Sequence, residues 1–78
     1  MKAKEVYMTR AVEAYDKYME LQERIDKIEK GAVAEFGSED LATYQLSTAS
    51  RYSLYRRLCR DRNVRMGVAQ LNASMAQL

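Results

Sequence analysis

The sequence predicts an all-α protein, built as a long antiparallel helical hairpin of coiled-coil type with a helical extension at its C-terminus. Proline is absent from the 78 residues and glycine occurs only three times, so little in the chain interrupts a helix. Alanine, leucine, glutamate and arginine, which all favour helices, are common. In the first half an apolar residue recurs in alternating steps of four and three, the repeat of a helix that packs along another helix.

The first helix is predicted over residues 3–35 of a single domain that comprises residues 1–78. Gly31 is its weak point, because an interior glycine costs about 1 kcal/mol relative to alanine. The apolar repeat makes one continuous seam along this helix. The seam consists of Tyr7, Ala11, Ala14, Tyr18, Leu21, Ile25, Ile28 and Ala32.

A short turn over residues 36–38 is predicted to end the first helix and to reverse the chain. Gly37 suits the left-handed backbone position that follows a helix, and Ser38 suits the N-cap of the next one. The second helix is predicted over residues 39–60, antiparallel to the first. Its expected apolar face consists of Leu41, Tyr44, Thr48, Tyr52, Tyr55, Leu58 and Cys59.

A C-terminal helix is predicted over residues 63–77, with an apolar stripe about 160° out of phase with the second helix. One straight helix therefore cannot turn both stripes towards the same neighbour. Either a break near residues 61–63 folds the tail back, or the tail packs against another subunit. We expect an oligomer, because residues 60–65 contain no glycine or proline for a sharp reversal.

The first helix offers a second apolar stripe that suits the tail. A chain of this length buries only roughly 60–65% of its unfolded surface, so association between copies is an expected source of stability. The two stripes together are the predicted protein interface. They consist of Met8, Val12, Tyr15 and Met19 in the first helix, and of Val64, Val68, Leu71, Met75 and Leu78 in the tail.

Charge is distributed unevenly along the chain. Residues 1–40 contain seven basic and ten acidic side chains, whereas residues 41–78 contain six arginines and one acid. Guanidinium groups bind phosphate or carboxylate oxygens in a bidentate manner. Arg56, Arg57 and Arg60 are therefore candidate contacts for an anion or a nucleic acid.

The alternative is that these arginines pair with acids of the first helix. In an antiparallel hairpin that turns at residue 37, the two charge sets face each other. Exposed pairs of this kind contribute about 0–1 kcal/mol each but select the direction of pairing. The expected pairs are Glu20 with Arg56, Asp16 with Arg60, and Glu13 with Arg62.

The sequence offers little for catalysis or metal binding. Histidine is absent, Cys59 is the only cysteine, and no glycine-rich phosphate loop occurs. We therefore expect no enzyme activity, no metal site, no cofactor and an inert Cys59 thiol. No signal peptide or apolar span is apparent, so a cytoplasmic protein that does not enter membranes is expected.

These observations favour a small non-enzymatic interaction or assembly module that associates with itself and possesses a protein partner surface. Its length and lack of a familiar motif are typical of accessory proteins of phages and mobile elements. The alternative function is nucleic-acid binding through the arginine-rich face of the second half.

Overall fold

A computed structural model describes residues 2–78, and the predicted all-α class is confirmed. It contains α1 (Lys2–Phe36), α2 (Glu39–Thr48), a 3-10 helix (Ser50–Tyr52) and α3 (Ser53–Ala76). The long helix α1 packs against α3, and the molecule is a rod of 53 × 17 × 17 Å. None of the helices in the described residues is long and apolar enough to cross a membrane.

The turn after α1 forms as the sequence predicts. Helix α1 continues through Gly31 and ends at Phe36. Gly37 follows with a positive φ of 78°, a conformation that costs glycine little. The Ser38 side chain then accepts a hydrogen bond from the backbone N–H of Leu41 and caps α2.

The predicted seam of α1 is confirmed, because each of its eight residues is buried or half-buried. Ile25 is fully buried and forms a cluster with Leu21 and Leu58. A second cluster joins Ala32 of α1 to Ala42 and Leu46 of α2. The partly buried side chains of Ile28 and Tyr55 pack against both clusters, and so they connect α2 and α3 to the same part of α1.

The prediction of one helix over residues 39–60 is wrong, because α2 ends at Thr48 and α3 begins at Ser53. The hydroxyls of Ser47 and Thr48 donate hydrogen bonds to the carbonyl oxygens four residues earlier, and Ala49 has an extended backbone. Serine and threonine compete for backbone hydrogen bonds in this way and weaken a helix. The helix therefore ends within this segment of small, mostly polar residues.

The predicted apolar face of the second helix is wrong within α2. Leu41 and Tyr44 are 54% and 64% exposed, whereas Ala42 and Leu46 are buried. Because the break after Thr48 separates α2 from α3, the face that α2 buries need not be in phase with the face that α3 buries.

A break near residues 61–63 is also absent, because α3 runs through them as one helix. The side of α3 that is buried bears small residues in its second half, where Ala69 and Ala76 are buried. Ala11 and Ala14, in the first half of α1, are buried as well. Small side chains allow two helices to approach closely, so the second half of α3 packs on α1 through alanines, whereas its first half uses Leu58.

Two hydrogen bonds define the register between α1 and α3. The Tyr55 hydroxyl donates to Glu29 at 2.7 Å, and Arg62 donates to Gln22 at 3.1 Å. A higher residue number in α3 therefore lies beside a lower number in α1, so the two helices are antiparallel. Arg62 lies beside Gln22 and not beside Glu13, nine residues from the predicted position. The reason is that α2 and the 3-10 helix take up residues 39–52 before α3 begins. The three ion pairs predicted from a simple turn at residue 37 are therefore wrong.

Candidate protein-interaction site

The first candidate surface lies along the N-terminal half of α1, beside its buried seam. We call it the N-terminal stripe, and it consists of Met8, Val12, Tyr15 and Met19. All four side chains are about half exposed. The Tyr15 ring stacks on the half-buried Tyr18 ring with 6.0 Å between centroids, so the stripe is fixed to the seam at this point.

The second candidate surface lies on α3 and the residues that follow it. We call it the C-terminal stripe, and it consists of Val64, Val68, Leu71, Met75 and Leu78. Met75 is half-buried and the other four side chains are exposed, with Leu71 at 64%. At about 100° per residue, the stripe lies on the side of α3 that faces away from α1.

The two stripes do not meet within one chain. An open apolar groove of about 320 Å³ lies between α1 and α3, and Val12 and Tyr15 form part of its wall. Helix α3 contributes Met66, Ala69, Gln70 and Ala73 to this groove, but no residue of the C-terminal stripe. The tail does pack on its own first helix, but through this small-residue side, so the version in which the two stripes meet within one chain is wrong.

The candidate arginines differ in what they bind. Arg56 donates hydrogen bonds to the backbone carbonyl oxygens of Leu46 and Ala49, at 2.7 and 3.0 Å. Both bonds use the same nitrogen, Nη1, so Arg56 closes the end of α2 and has only the rest of its guanidinium to offer an anion. Arg57 and Arg60 are exposed, and neither forms an ion pair within residues 2–78.

Another arginine belongs to an exposed cluster at the end of α1. Arg51 forms an ion pair with Glu35, and its guanidinium lies over the rings of Phe36 and Tyr52. Its hydrogen bond holds the pKa of the Glu35 carboxyl below its usual value. Arg51 therefore joins the 3-10 helix to the end of α1, and because its charge is already paired it adds little free positive charge.

Other reactive groups do not assemble into a site in the described residues. Cys59 is a free, half-buried thiol that packs against the Leu21, Ile25 and Leu58 cluster. No group of three or more potential metal-ligating side chains occurs within residues 2–78. The features that remain for function are the two stripes and the free arginines.

Comparison with protein-family models, curated proteins and solved structures finds no match to this chain.

Proposed function

We propose that this protein is a small helical interaction module that associates with itself through the N-terminal and C-terminal stripes. In this proposal α1 and α3 form a rigid antiparallel hairpin that displays both stripes along its length. The observation that carries the proposal is the exposure of eight of the nine predicted interface side chains. Contiguous exposed apolar surface of this kind is characteristic of protein-interaction sites.

The composition of the core supports the same proposal. Among the described residues, six of the ten buried hydrophobic ones are alanines, and only Leu21, Ile25, Leu46 and Leu58 are larger. Burying a leucine, valine or methionine side chain contributes about 1.5–3 kcal/mol, so the largest unused stabilisation lies in the stripes. A second copy that covers them adds apolar burial that one chain does not achieve alone.

Light scattering over a concentration series tests the proposal. We expect the wild-type protein to exceed the mass of one chain, and Leu71→Glu to restore that mass. Gln77→Glu is the matched control, because Gln77 is exposed at the C-cap of the same helix and is not three or four residues from any residue of the stripe. A wild-type protein that remains a single chain at several hundred micromolar would contradict self-association.

Nucleic-acid binding is the second candidate function, favoured by Arg57 and Arg60, which are exposed and form no ion pair within the described residues. If these residues bind phosphates of duplex DNA, the logarithm of affinity falls with the logarithm of salt concentration, with a slope near −0.9 per contact. Replacing both by alanine should then remove binding. We expect only weak binding at low salt, because Arg56 is engaged by the backbone.

A further inference from the structure

The two stripes continue into charged residues of opposite sign. Beyond Met19, the same face of α1 bears Glu23 and Asp26. Before Val64, the outer face of α3 bears Arg60 and Arg57. The six residues on α1 are Met8, Val12, Tyr15, Met19, Glu23 and Asp26, and read backwards on α3 their counterparts are Met75, Leu71, Val68, Val64, Arg60 and Arg57.

Both sets have the same spacing. The steps are four, three, four, four and three residues on each helix when α3 is read from its C-terminal end. Each set is four apolar residues followed by two charged ones, acidic on α1 and basic on α3. Steps of three and four keep side chains on one helix face, so each set presents a continuous surface.

All four charged side chains are accessible. Glu23, Asp26, Arg57 and Arg60 are exposed, and none belongs to an ion pair within the described residues. Asp26 accepts one hydrogen bond, from the half-buried Gln22 side chain at 2.8 Å. The two acids and the two arginines are thus free to meet a partner of opposite charge.

We infer that the outer face of α3 binds the N-terminal stripe of a second copy of this chain, with the two helices antiparallel. This inference rests on the self-association proposed above and specifies its register. Val12 of one copy lies opposite Leu71 of the other, Glu23 lies opposite Arg60, and Asp26 lies opposite Arg57. Apolar residues then face apolar residues along the contact, and each acid faces an arginine.

The charges select the antiparallel direction. In a parallel arrangement that overlaps the same segments, the arginines would face the apolar residues of the N-terminal stripe, and the acids would face the apolar tail. Burying an unpaired charge against apolar side chains is unfavourable. Opposite charges at one end of both faces therefore fix the orientation as well as the register.

The contact is heterologous, because it joins two different surfaces. Val12 and Tyr15 border the groove between α1 and α3, whereas the C-terminal stripe lies away from it. After one contact forms, each copy in the pair still has one unused face. Further copies therefore add until a ring closes or a filament grows.

Charge reversal tests the pairing in the full chain. One variant carries Glu23→Arg and Asp26→Arg, and the other carries Arg57→Glu and Arg60→Glu. Each alone should place like charges together and weaken association at least about tenfold. Mixed in equal amounts, the two variants restore opposite charges at every contact, so light scattering should show that association returns.

The outcomes separate this inference from the proposed function. A wild-type protein that stays a single chain overturns both. If the wild type associates and Leu71→Glu dissociates it, but neither charge reversal weakens association or mixing restores nothing, the stripes mediate association and the antiparallel charge register is wrong.

Disulfide crosslinking provides a second measure of the register, in a Cys59→Ser background. Val12→Cys combined with Leu71→Cys should crosslink between chains, because the pair lies opposite in the proposed contact and a disulfide needs Cα atoms about 4.4–6.8 Å apart. Val12→Cys combined with Val64→Cys is the control, because its partner is displaced by seven residues, or about 10 Å. Equal or greater crosslinking in the control would overturn the register.

Discussion

The guanidinium of Arg56 donates a hydrogen bond to the backbone carbonyl oxygen of Leu46, at 2.7 Å. The same nitrogen reaches the carbonyl oxygen of Ala49 at 3.0 Å. These carbonyls lie where α2 ends, and the last carbonyls of a helix have no partner within it. Arg56 therefore satisfies the end of α2 from the first turn of α3, and it holds the two helices together across the break.

Arg56→Ala should therefore destabilise the fold. Hydrogen bonds from charged groups contribute about 1.5–3 kcal/mol when they are shielded from water, and we expect a loss of about 1–2 kcal/mol at this half-buried position. Arg57→Ala is the matched control, because Arg57 is exposed and should change the free energy of unfolding by less than about 0.5 kcal/mol. Urea unfolding followed by circular dichroism measures both. Equal effects would mean that the Arg56 bonds do not persist in solution.

A second prediction concerns the fully buried Ile25. Ile25→Ala removes three carbons from the cluster with Leu21 and Leu58, and we expect a loss of about 2–4 kcal/mol. Val12→Ala, at a position 54% exposed on the same helix, should cost well under 1 kcal/mol in the single chain. Unfolding at low protein concentration compares the two, since association stabilises the folded state. Similar losses would show that the buried face of α1 is misassigned.

The seam of α1 could be predicted from the sequence because large side chains mark it at regular spacing. Leu21, Ile25 and Ile28 stand in a continuous repeat, and the turn at Gly37 and Ser38 has residues suited to both of its positions. In both places the local residue preferences favour the same structure as the tertiary packing, so the sequence pattern predicts it correctly.

The buried side of α3 could not be predicted in the same way. Its second half buries Ala69 and Ala76, while the larger Val64 and Leu71 remain exposed. A prediction from hydrophobicity assigns the larger apolar residues to the buried face. Here the buried face bears alanines instead, and small side chains let α3 pack closely beside Ala11 and Ala14. The exposure of the large residues is what makes the outer face of α3 a candidate interaction site.

The break after Thr48 had only a weak signal. Ser47, Thr48 and Ser50 are poor helix residues, but apolar residues on either side suggested one continuous face. The contacts that stabilise the break include the bonds from Arg56, which come from beyond it in the chain. That contact depends on tertiary structure, which the sequence pattern does not reveal. The displaced register of α3, and the positions of the arginines that result from it, were therefore not predictable from the sequence.

A third prediction concerns pH and the hydrogen bond from Tyr55 to Glu29. Burial, and then this bond, raises the pKa of the Tyr55 hydroxyl above its ordinary value near 10. The unfolded chain therefore loses this proton at lower pH than the folded chain. The contribution of the neutral hydroxyl to stability is complete below pH 10 and is lost as the pH rises through the folded-state pKa.

Comparison with Tyr55→Phe isolates this contribution, since the other titrating groups are shared. We expect the difference in free energy of unfolding between wild type and Tyr55→Phe to be constant from pH 7 to 9 and to fall above about pH 10. Urea unfolding in matched buffers gives the difference at each pH. A difference that stays constant to pH 11 would mean that the folded state ionises Tyr55 as readily as the unfolded chain does.

The last prediction compares two glycines whose surroundings are alike but whose backbones differ. Apart from the adjoining residues and the local helix backbone, a Cβ atom added at Gly31 or at Gly37 would meet no atom within 4 Å. Gly31 lies inside α1, where alanine reduces the entropy of the unfolded chain, so Gly31→Ala should stabilise the protein by about 0.5–1 kcal/mol. Gly37 has a φ of 78°, which alanine adopts at a cost of about 1–2 kcal/mol, so Gly37→Ala should destabilise it. Urea unfolding at one low protein concentration should give shifts of opposite sign. Stabilisation by both substitutions would show that the chain does not hold the left-handed turn between α1 and α2.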